Sequence, residues 1–277
     1  MRRTLKLNKS IRDLPFVLSR RQALARRLAG KRIAVFLDYD GTLTPIVDKP
    51  EMAVLAPSMR ALVKALADRL PVAIVSGRDR QDVHRLVGLD SLIYAGSHGL
   101  DIAGPIAAAY DGCGEYREML VEAGKRLRRE LTNVGGVLVE CKRCSVAVHY
   151  RLVPEPERPR IMAAVDAVLA GQTELRATAG NMVIEIQPKV NWNKGKAVSW
   201  ILRALNLETA DVVPIFIGDD ITDEDAFAAI DGRGIGVVVS GPSANRATAA
   251  GYRIDGPEEV GVFLRFLAEM NGSESGN

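Results

Sequence analysis

The chain has 277 residues, 47% of them apolar and 26% charged, with a formal net charge of +3. That balance belongs to an ordinary globular protein, and no apolar run approaches the ~20 residues that a bilayer-spanning helix needs. The basic N-terminus is broken by charge throughout and lacks the continuous apolar stretch of a secretory signal, so a cytoplasmic protein is expected. Few aromatic residues accompany the basic run Lys125-Arg126-Leu127-Arg128-Arg129. It therefore reads as a solvated helix face, and neither a nucleic-acid nor a membrane partner is expected. Cys113, Cys141 and Cys144 do not make a disulfide framework. The CxxC formed by Cys141 and Cys144 has no second pair or histidine pair to complete a zinc site.

In chain order, residues 1–30 form a basic arm. Residues 33–37 are a short β-branched strand that stops at a cluster of acids. Met59, Leu62, Val63, Leu66 and Leu70 recur at helical spacing and predict a helix over 57–70. A strand over 72–75 then ends at Ser76-Gly77-Arg78, followed by a helix over 79–87 and a strand over 92–95. The middle of the chain changes character. A helix over 115–130 leads to antiparallel strands over 137–140 and 145–151, with Cys141 and Cys144 near their turn. The proline-rich stretch 154–159 opens a helix to about residue 170. Strands over 174–178 and 182–187 flank the turn Ala179-Gly180-Asn181. The alternation then resumes with a helix over 195–205, a strand over 214–217 and a helix over 222–230. Weaker strands over 236–239 and 252–254 follow, then a closing helix over 257–270 and a polar tail, 271–277, expected to be disordered. Strands alternating with helices predict an α/β fold with a Rossmann-like parallel sheet. The core spans 31–104 and 190–270, and an α+β cap of residues 105–189 is inserted between its halves.

Two acidic clusters close apolar strands of that core. Asp38-Tyr39-Asp40-Gly41-Thr42 follows the first strand, and Gly218-Asp219-Asp220-Ile221-Thr222-Asp223-Glu224-Asp225 follows the strand over 214–217. Open parallel sheets bind ligands beyond the carboxyl ends of their strands. Carboxylates crowded there would push one pKa up. A hard divalent cation such as Mg²⁺, held by carboxylate oxygens and shared with a phosphate, removes the conflict. Asp219 is placed to complete such a site opposite Asp38. Thr222 or Asp223 is a candidate cap for the next helix, and Glu224 and Asp225 read as acids favoured by its dipole. Ser76-Gly77-Arg78 opens a helix and offers a hydroxyl and free amides to a phosphoryl group. Asn193-Lys194-Gly195-Lys196 opens another and brings a cation to the same edge.

This order of Asp38-Tyr39-Asp40-Gly41-Thr42, Ser76, Lys194 and Gly218-Asp219-Asp220 resembles the haloacid dehalogenase superfamily of phosphatases. The resemblance implies that Asp38 is a nucleophile that also binds Mg²⁺. It implies that Asp40 protonates the leaving alcohol and then activates water, its backbone carbonyl lying on the metal. Ser76 and Lys194 would hold the phosphate, Asp219 would be a further metal ligand, and Asp220 and Asp223 would stand behind it. Tyr39, Ser76-Gly77-Arg78, Gly96-Ser97-His98-Gly99 and the acidic loop through Ala226-Phe227 are similar to trehalose-6-phosphate phosphatases. So are Glu140-Cys141-Lys142, residues 145–151 and Glu185-Ile186-Gln187-Pro188 of the cap. The resemblance covers about residues 33–267 and implies a small sugar phosphate, trehalose 6-phosphate, as substrate. Tyr39, Gly77, Arg78 and His98 would then join the phosphate and substrate contacts, and Glu140, Lys142 and Glu185 would bind sugar hydroxyls. The same cap side chains also read as cross-strand ion pairs on a solvated face, and His98 as a loop histidine satisfied by backbone. Phosphatases of sucrose 6-phosphate or mannosyl-3-phosphoglycerate share this core. A non-catalytic regulatory domain would have lost Asp38, Asp40, Lys194 or Asp219, and all four are present. Asn193 stands where relatives commonly have aspartate, which removes a charge beside Lys194.

Overall fold

The computed structural model describes residues 9–270 apart from 48, 106, 108, 181, 242 and 243. The first eight residues of the basic arm, the turn position Asn181 and the tail 271–277 lie outside the described residues. Two compact units emerge. One comprises the described chain up to Tyr110 and from Trp192 onward, and the other is Asp111–Asn191. No helix among the described residues is long and apolar enough to cross a membrane.

The N-terminal segment is more than a basic arm. After the two-residue strand β1 (Lys9–Ser10), Ile11, Leu14 and Val17 are buried, and helix α1 (Arg21–Leu28) buries Leu24 and Leu28 while its arginines stay outside. The five arginines between 20 and 32 dominate the composition there. The packing information lies in the sparser apolar positions, one helical turn apart in α1. The chain continues through β2 (Arg32–Leu37), α2 (Pro57–Ala67), β3 (Val72–Val75), α3 (Arg80–Val87), β4 (Ile93–Gly96) and the short β5 (Asp101–Ala103) and β6 (Tyr110–Asp111).

The second unit contains α4 (Arg117–Glu130), β7 (Leu138–Cys141), β8 (Val146–His149), α5 (Arg158–Ala170), β9 (Leu175–Gly180) and β10 (Val183–Pro188). Its strands form an antiparallel sheet in the order β7-β8-β10-β9. The two helices cover one face, where Leu120, Leu127, Ile161 and Val165 pack with Val146, Val148, Ile184 and Ile186. The opposite face carries Glu140, Ala147, Glu185 and Thr178 side by side across the register. One expectation is corrected here. Cys113 and Cys144, both fully buried, form a disulfide with a Cα–Cα distance of 5.4 Å, and Cys141 remains an exposed thiol. The three cysteines were expected to form no disulfide framework, and the CxxC no zinc site. Cys141 ends β7 and Cys144 lies beyond the turn, beside a loop 31 residues earlier in the chain.

The first unit resumes with α6 (Lys194–Ala204), β11 (Val212–Gly218), α7 (Glu224–Ile230), β12 (Ile235–Val239), β13 (Ala247–Thr248), β14 (Tyr252–Ile254) and α8 (Pro257–Met270). Its main sheet runs β14-β12-β11-β2-β3-β4-β5-β6, parallel from β14 to β4, with β5 antiparallel on β4. Both faces are covered, which is why β2 and β11 read as unbroken apolar runs. Alternate residues divide between two cores. Ile33, Val35 and Leu37 pack with residues of α1, α2, α3 and α8, whereas Ala34 and Phe36 pack with α6 and α7. β1 pairs antiparallel with β13, apart from the main sheet.

Candidate active site

The ladder between β11 and β2 aligns Ile217 with Leu37, and the Asp38 amide continues it by donating to the Ile217 carbonyl at 2.9 Å. Asp38 and Asp219 therefore leave neighbouring parallel strands side by side, at the carboxyl edge. Gly41 allows the chain after Asp38 to turn with φ +76°, and the Asp219 carboxylate occupies the space where a side chain at 41 would begin. Glycine alone combines that turn with so close an approach.

Lys194 opens α6 and is 2% exposed, with Nζ 3.0 Å from Asp38 Oδ1 and 2.7 Å from Asp223 Oδ1. Asn193 caps this helix by accepting from the Lys196 amide at 2.9 Å, a role that its amide oxygen fills without the charge of an aspartate. Carboxylate oxygens of Asp38, Asp219 and Asp223 all lie within 4.8 Å of one another. Asp223 thus joins the cluster itself. Its second oxygen accepts from the Asp220 amide at 2.9 Å. The Asp220 carboxylate faces the short helical turn Ile221–Asp223, accepting from the Ile221 amide at 2.6 Å.

Electrostatics explain what such a cluster needs. Burial pushes the Asp38 carboxyl well above its ordinary pKa; Lys194 opposes the shift, while Asp223 and Asp219 add to it. Asp219 is pushed up to about 7, first by burial and then by Asp223. Burial also works against the charge of Lys194, yet Asp38 and Asp223 outweigh it and hold the ammonium form. Among the described residues, Asp219 Oδ1 is buried with no hydrogen-bond partner. Three carboxylates against one ammonium, all oxygen donors and one of them orphaned, fit a hard divalent cation such as Mg²⁺.

Asp40 is gripped from the next loop. Arg78 donates Nε to Asp40 Oδ2 and Nη2 to Oδ1, each at 2.7 Å, and Nη1 to Asp82 Oδ2 at 3.1 Å. Arg78, expected at the substrate, is here the bidentate partner of Asp40. The Tyr39 side chain, expected among the substrate contacts, lies in the hydrophobic core. It is fully buried and donates its hydroxyl to the Ala53 carbonyl at 2.6 Å, since alternation along the chain turns it into the core. Ser76 is buried and its hydroxyl accepts from the Arg78 amide at 3.1 Å. Ser97 and His98 adopt left-handed backbone, φ +51° and +56°, which aims their amides at the Arg78 and Ser76 carbonyls at 2.7 and 2.9 Å. The His98 ring lies where a side chain at Gly77 would stand, so that glycine makes room for the imidazole.

In the second unit the polar side chains pair with one another. Glu185 Oε1 accepts from Ser145 Oγ at 2.7 Å and lies 3.3 Å from Lys142 Nζ, and Glu140 Oε2 lies 3.0 Å from His149 Nε2. Ser145 and His149 lie in the stretch 145–151 that the family resemblance singles out, although it implies neither as a contact by itself. Glu224, read from sequence as an acid favoured by a helix dipole, does open α7, and in addition it is buried and bonded to the loop after β12, through Arg246, Thr248 and the Ala249 amide.

Solved structures define the class first. A trehalose-6-phosphate phosphatase related protein superposes with a TM-score of 0.73 at 23% identity, covering 88% of this chain and 100% of that one. A phosphatase of the haloalkanoate dehalogenase superfamily from Bacteroides thetaiotaomicron gives 0.56 at 15% identity, covering 87% and 96%. The fold is the haloacid dehalogenase fold, an α/β core around a largely parallel sheet. Sequence comparison is more specific. The trehalose-phosphatase family matches residues 36–258, and the chain is 40% identical over 276 residues to trehalose 6-phosphate phosphatase RA3 of Zea mays, covering 94% of this chain and 76% of that one. The chain belongs to the trehalose-phosphatase family.

Proposed function

We propose that the protein is a Mg²⁺-dependent phosphatase that hydrolyses trehalose 6-phosphate to trehalose and phosphate through a phospho-aspartate on Asp38. The buried cluster of Lys194, Asp38, Asp219 and Asp223 at the carboxyl ends of β2 and β11, in a chain of this family, carries the reading. Asp38 attacks phosphorus in line, and the bond from phosphorus to the sugar oxygen breaks as Asp40 gives that oxygen a proton. Asp40 then takes a proton from water, which attacks the same phosphorus and frees the Asp38 carboxylate. Ser76 and Lys194 hold the equatorial oxygens throughout. Asp38, Asp219 and the Asp40 carbonyl, with Asp223 adjoining, would hold Mg²⁺, which when bound would supply positive charge against the transferred phosphoryl group. Glu140, Lys142 and Glu185 of the cap, with His98 of the core, are the hydroxyl-binding candidates. Their charged groups suit a disaccharide better than an apolar ligand.

A panel of sugar phosphates tests the assignment. With Mg²⁺, phosphate release from trehalose 6-phosphate is expected to exceed that from sucrose 6-phosphate and mannosyl-3-phosphoglycerate by at least about 100-fold, or ~3 kcal/mol of discrimination. Comparable turnover of either rival would overturn the sugar while leaving the chemistry intact. Asp38→Asn is expected to lose measurable turnover, and an active Asp38→Asn enzyme would dismiss the nucleophile.

A further inference from the structure

Asp219 directly follows β11 and has no side-chain hydrogen bond at its buried Oδ1 among the described residues, so its backbone determines where the carboxylate stands. The Asp219 carbonyl accepts from Arg246 Nη2 at 2.8 Å. The other terminal nitrogen of the same guanidinium pairs with Glu224 Oε1. Glu224 is the first residue of α7 and is 4% exposed. Its remaining oxygen accepts from Thr248 Oγ1 at 3.0 Å and from the Ala249 amide at 2.7 Å. One buried carboxylate thus gathers three donors from a four-residue stretch, and the arginine between them ties that stretch to the residue before Asp220. The rigid fork of a guanidinium suits such a bridge, because its two ends are held at a fixed separation.

The N-terminal segment braces the far side of this stretch. Lys9 and Ser10 pair with Thr248 and Ala247, the Ile11 amide donates to the Arg246 carbonyl at 3.1 Å, and Ser10 Oγ donates to Asn245 Oδ1 at 2.9 Å. Ile11 and Leu14 anchor the brace in the core that contains Phe216 and Phe227. Arg246 is therefore held by backbone on one side and by Glu224 on the other. Its charge is already matched by Glu224, so its contribution to the site is geometric.

We propose that Arg246 is a positioning residue for the metal site. It holds the Asp219 carbonyl, and through it the carboxylate, at the place where a divalent cation meets Asp38. This inference rests on the metal reading proposed above, and the experiment separates the two. Mg²⁺ binding to the parent protein and to full-length Arg246→Lys is measured by titration calorimetry, alongside kinetics over a range of Mg²⁺ and melting temperature in EDTA. A lysine reaches one of the two acceptors but cannot bridge both. The Mg²⁺ dissociation constant is expected to rise about tenfold or more, the lower end for groups that orient metal ligands. The KM for sugar phosphate at saturating Mg²⁺ stays within about twofold, and kcat recovers as Mg²⁺ is raised. A parent that binds no Mg²⁺ would refute the metal reading itself. Equal affinity in parent and variant would refute only the role of Arg246. A lower kcat that Mg²⁺ does not restore would assign the guanidinium to substrate instead. Should the single variant fail to fold, Glu224→Gln combined with Arg246→Met removes the ion pair from both sides; tight Mg²⁺ binding by that folded double variant would equally end the proposal.

Discussion

The acids at the edge of the sheet behave as they do because they share a dry space. Asp219, pushed up to about 7 from an ordinary 3.8 by burial and by Asp223, has a direct consequence for pH. Folded and free of metal, it keeps its proton to near neutrality, whereas in the unfolded chain it loses it near the ordinary value. The unfolded state therefore binds fewer protons across that window. Stability of the metal-free protein is present at low pH, falls as pH rises from about 4 to about 7, and then levels for this group. A cation at the same carboxylate displaces the proton, so its affinity rises over the same window. Melting curves with EDTA and with Mg²⁺ should show a larger metal-induced gain near pH 7.5 than near pH 5.5. A gain independent of pH would show that Asp219 does not titrate there. Around this cluster, residue-level reading of the sequence placed Asp38, Asp219, Lys194 and Ser76 at one edge. It could not tell that Asp223 turns inward while Asp220 caps the helical turn, because both positions carry the same residue type and differ only in local backbone.

Elements that announce themselves by period were legible. The strand over 252–254 and the helix over 257–270 coincide with β14 and α8, and the apolar runs at β2 and β11 differ from expectation by a residue or two. Short or charge-rich elements were not. β5 has three residues, too few for alternation to show, and α1 was hidden by its arginines. Yet α1 and the segment before it belong to the core. Leu24 is 1% exposed and packs in the cluster that also holds Val35 and Leu37 of β2. Leu24→Ala is expected to destabilise the protein by about 2–4 kcal/mol, the cost of a lost side chain and the cavity left behind. Urea denaturation measures it, and a loss under about 1 kcal/mol would return the segment to the status of a surface arm.

At the scale of the molecule, two units carry separate cores, one built on the mainly parallel sheet and one on the antiparallel sheet with α4 and α5. The Cys113–Cys144 disulfide closes a loop wholly within the second unit, so its effect is local to that unit. Paired Cys113→Ser and Cys144→Ser substitution is expected to lower the stability of that unit by about 2–4 kcal/mol, as loss of a loop of this length from the cross-linked unfolded state does. Hydrogen exchange is the measurement: protection should fall in β8 and β10 and stay unchanged in β2 and β11. A uniform loss over both units would show that they unfold as one.

Sequence by itself determined the alternation of strands and helices, the insertion that divides the core, and the acids and lysine that meet at the sheet's edge. These are properties of residue type and period, which survive without knowledge of partners. Only the tertiary structure decided that Tyr39 is core, that Arg78 grips Asp40, that Cys113 rather than Cys141 bonds Cys144, and that Glu224 and Arg246 tie a distant loop to Asp219. Each joins segments remote in sequence. Which donor meets which acceptor across such a gap depends on packing and register, and neither is written in local composition.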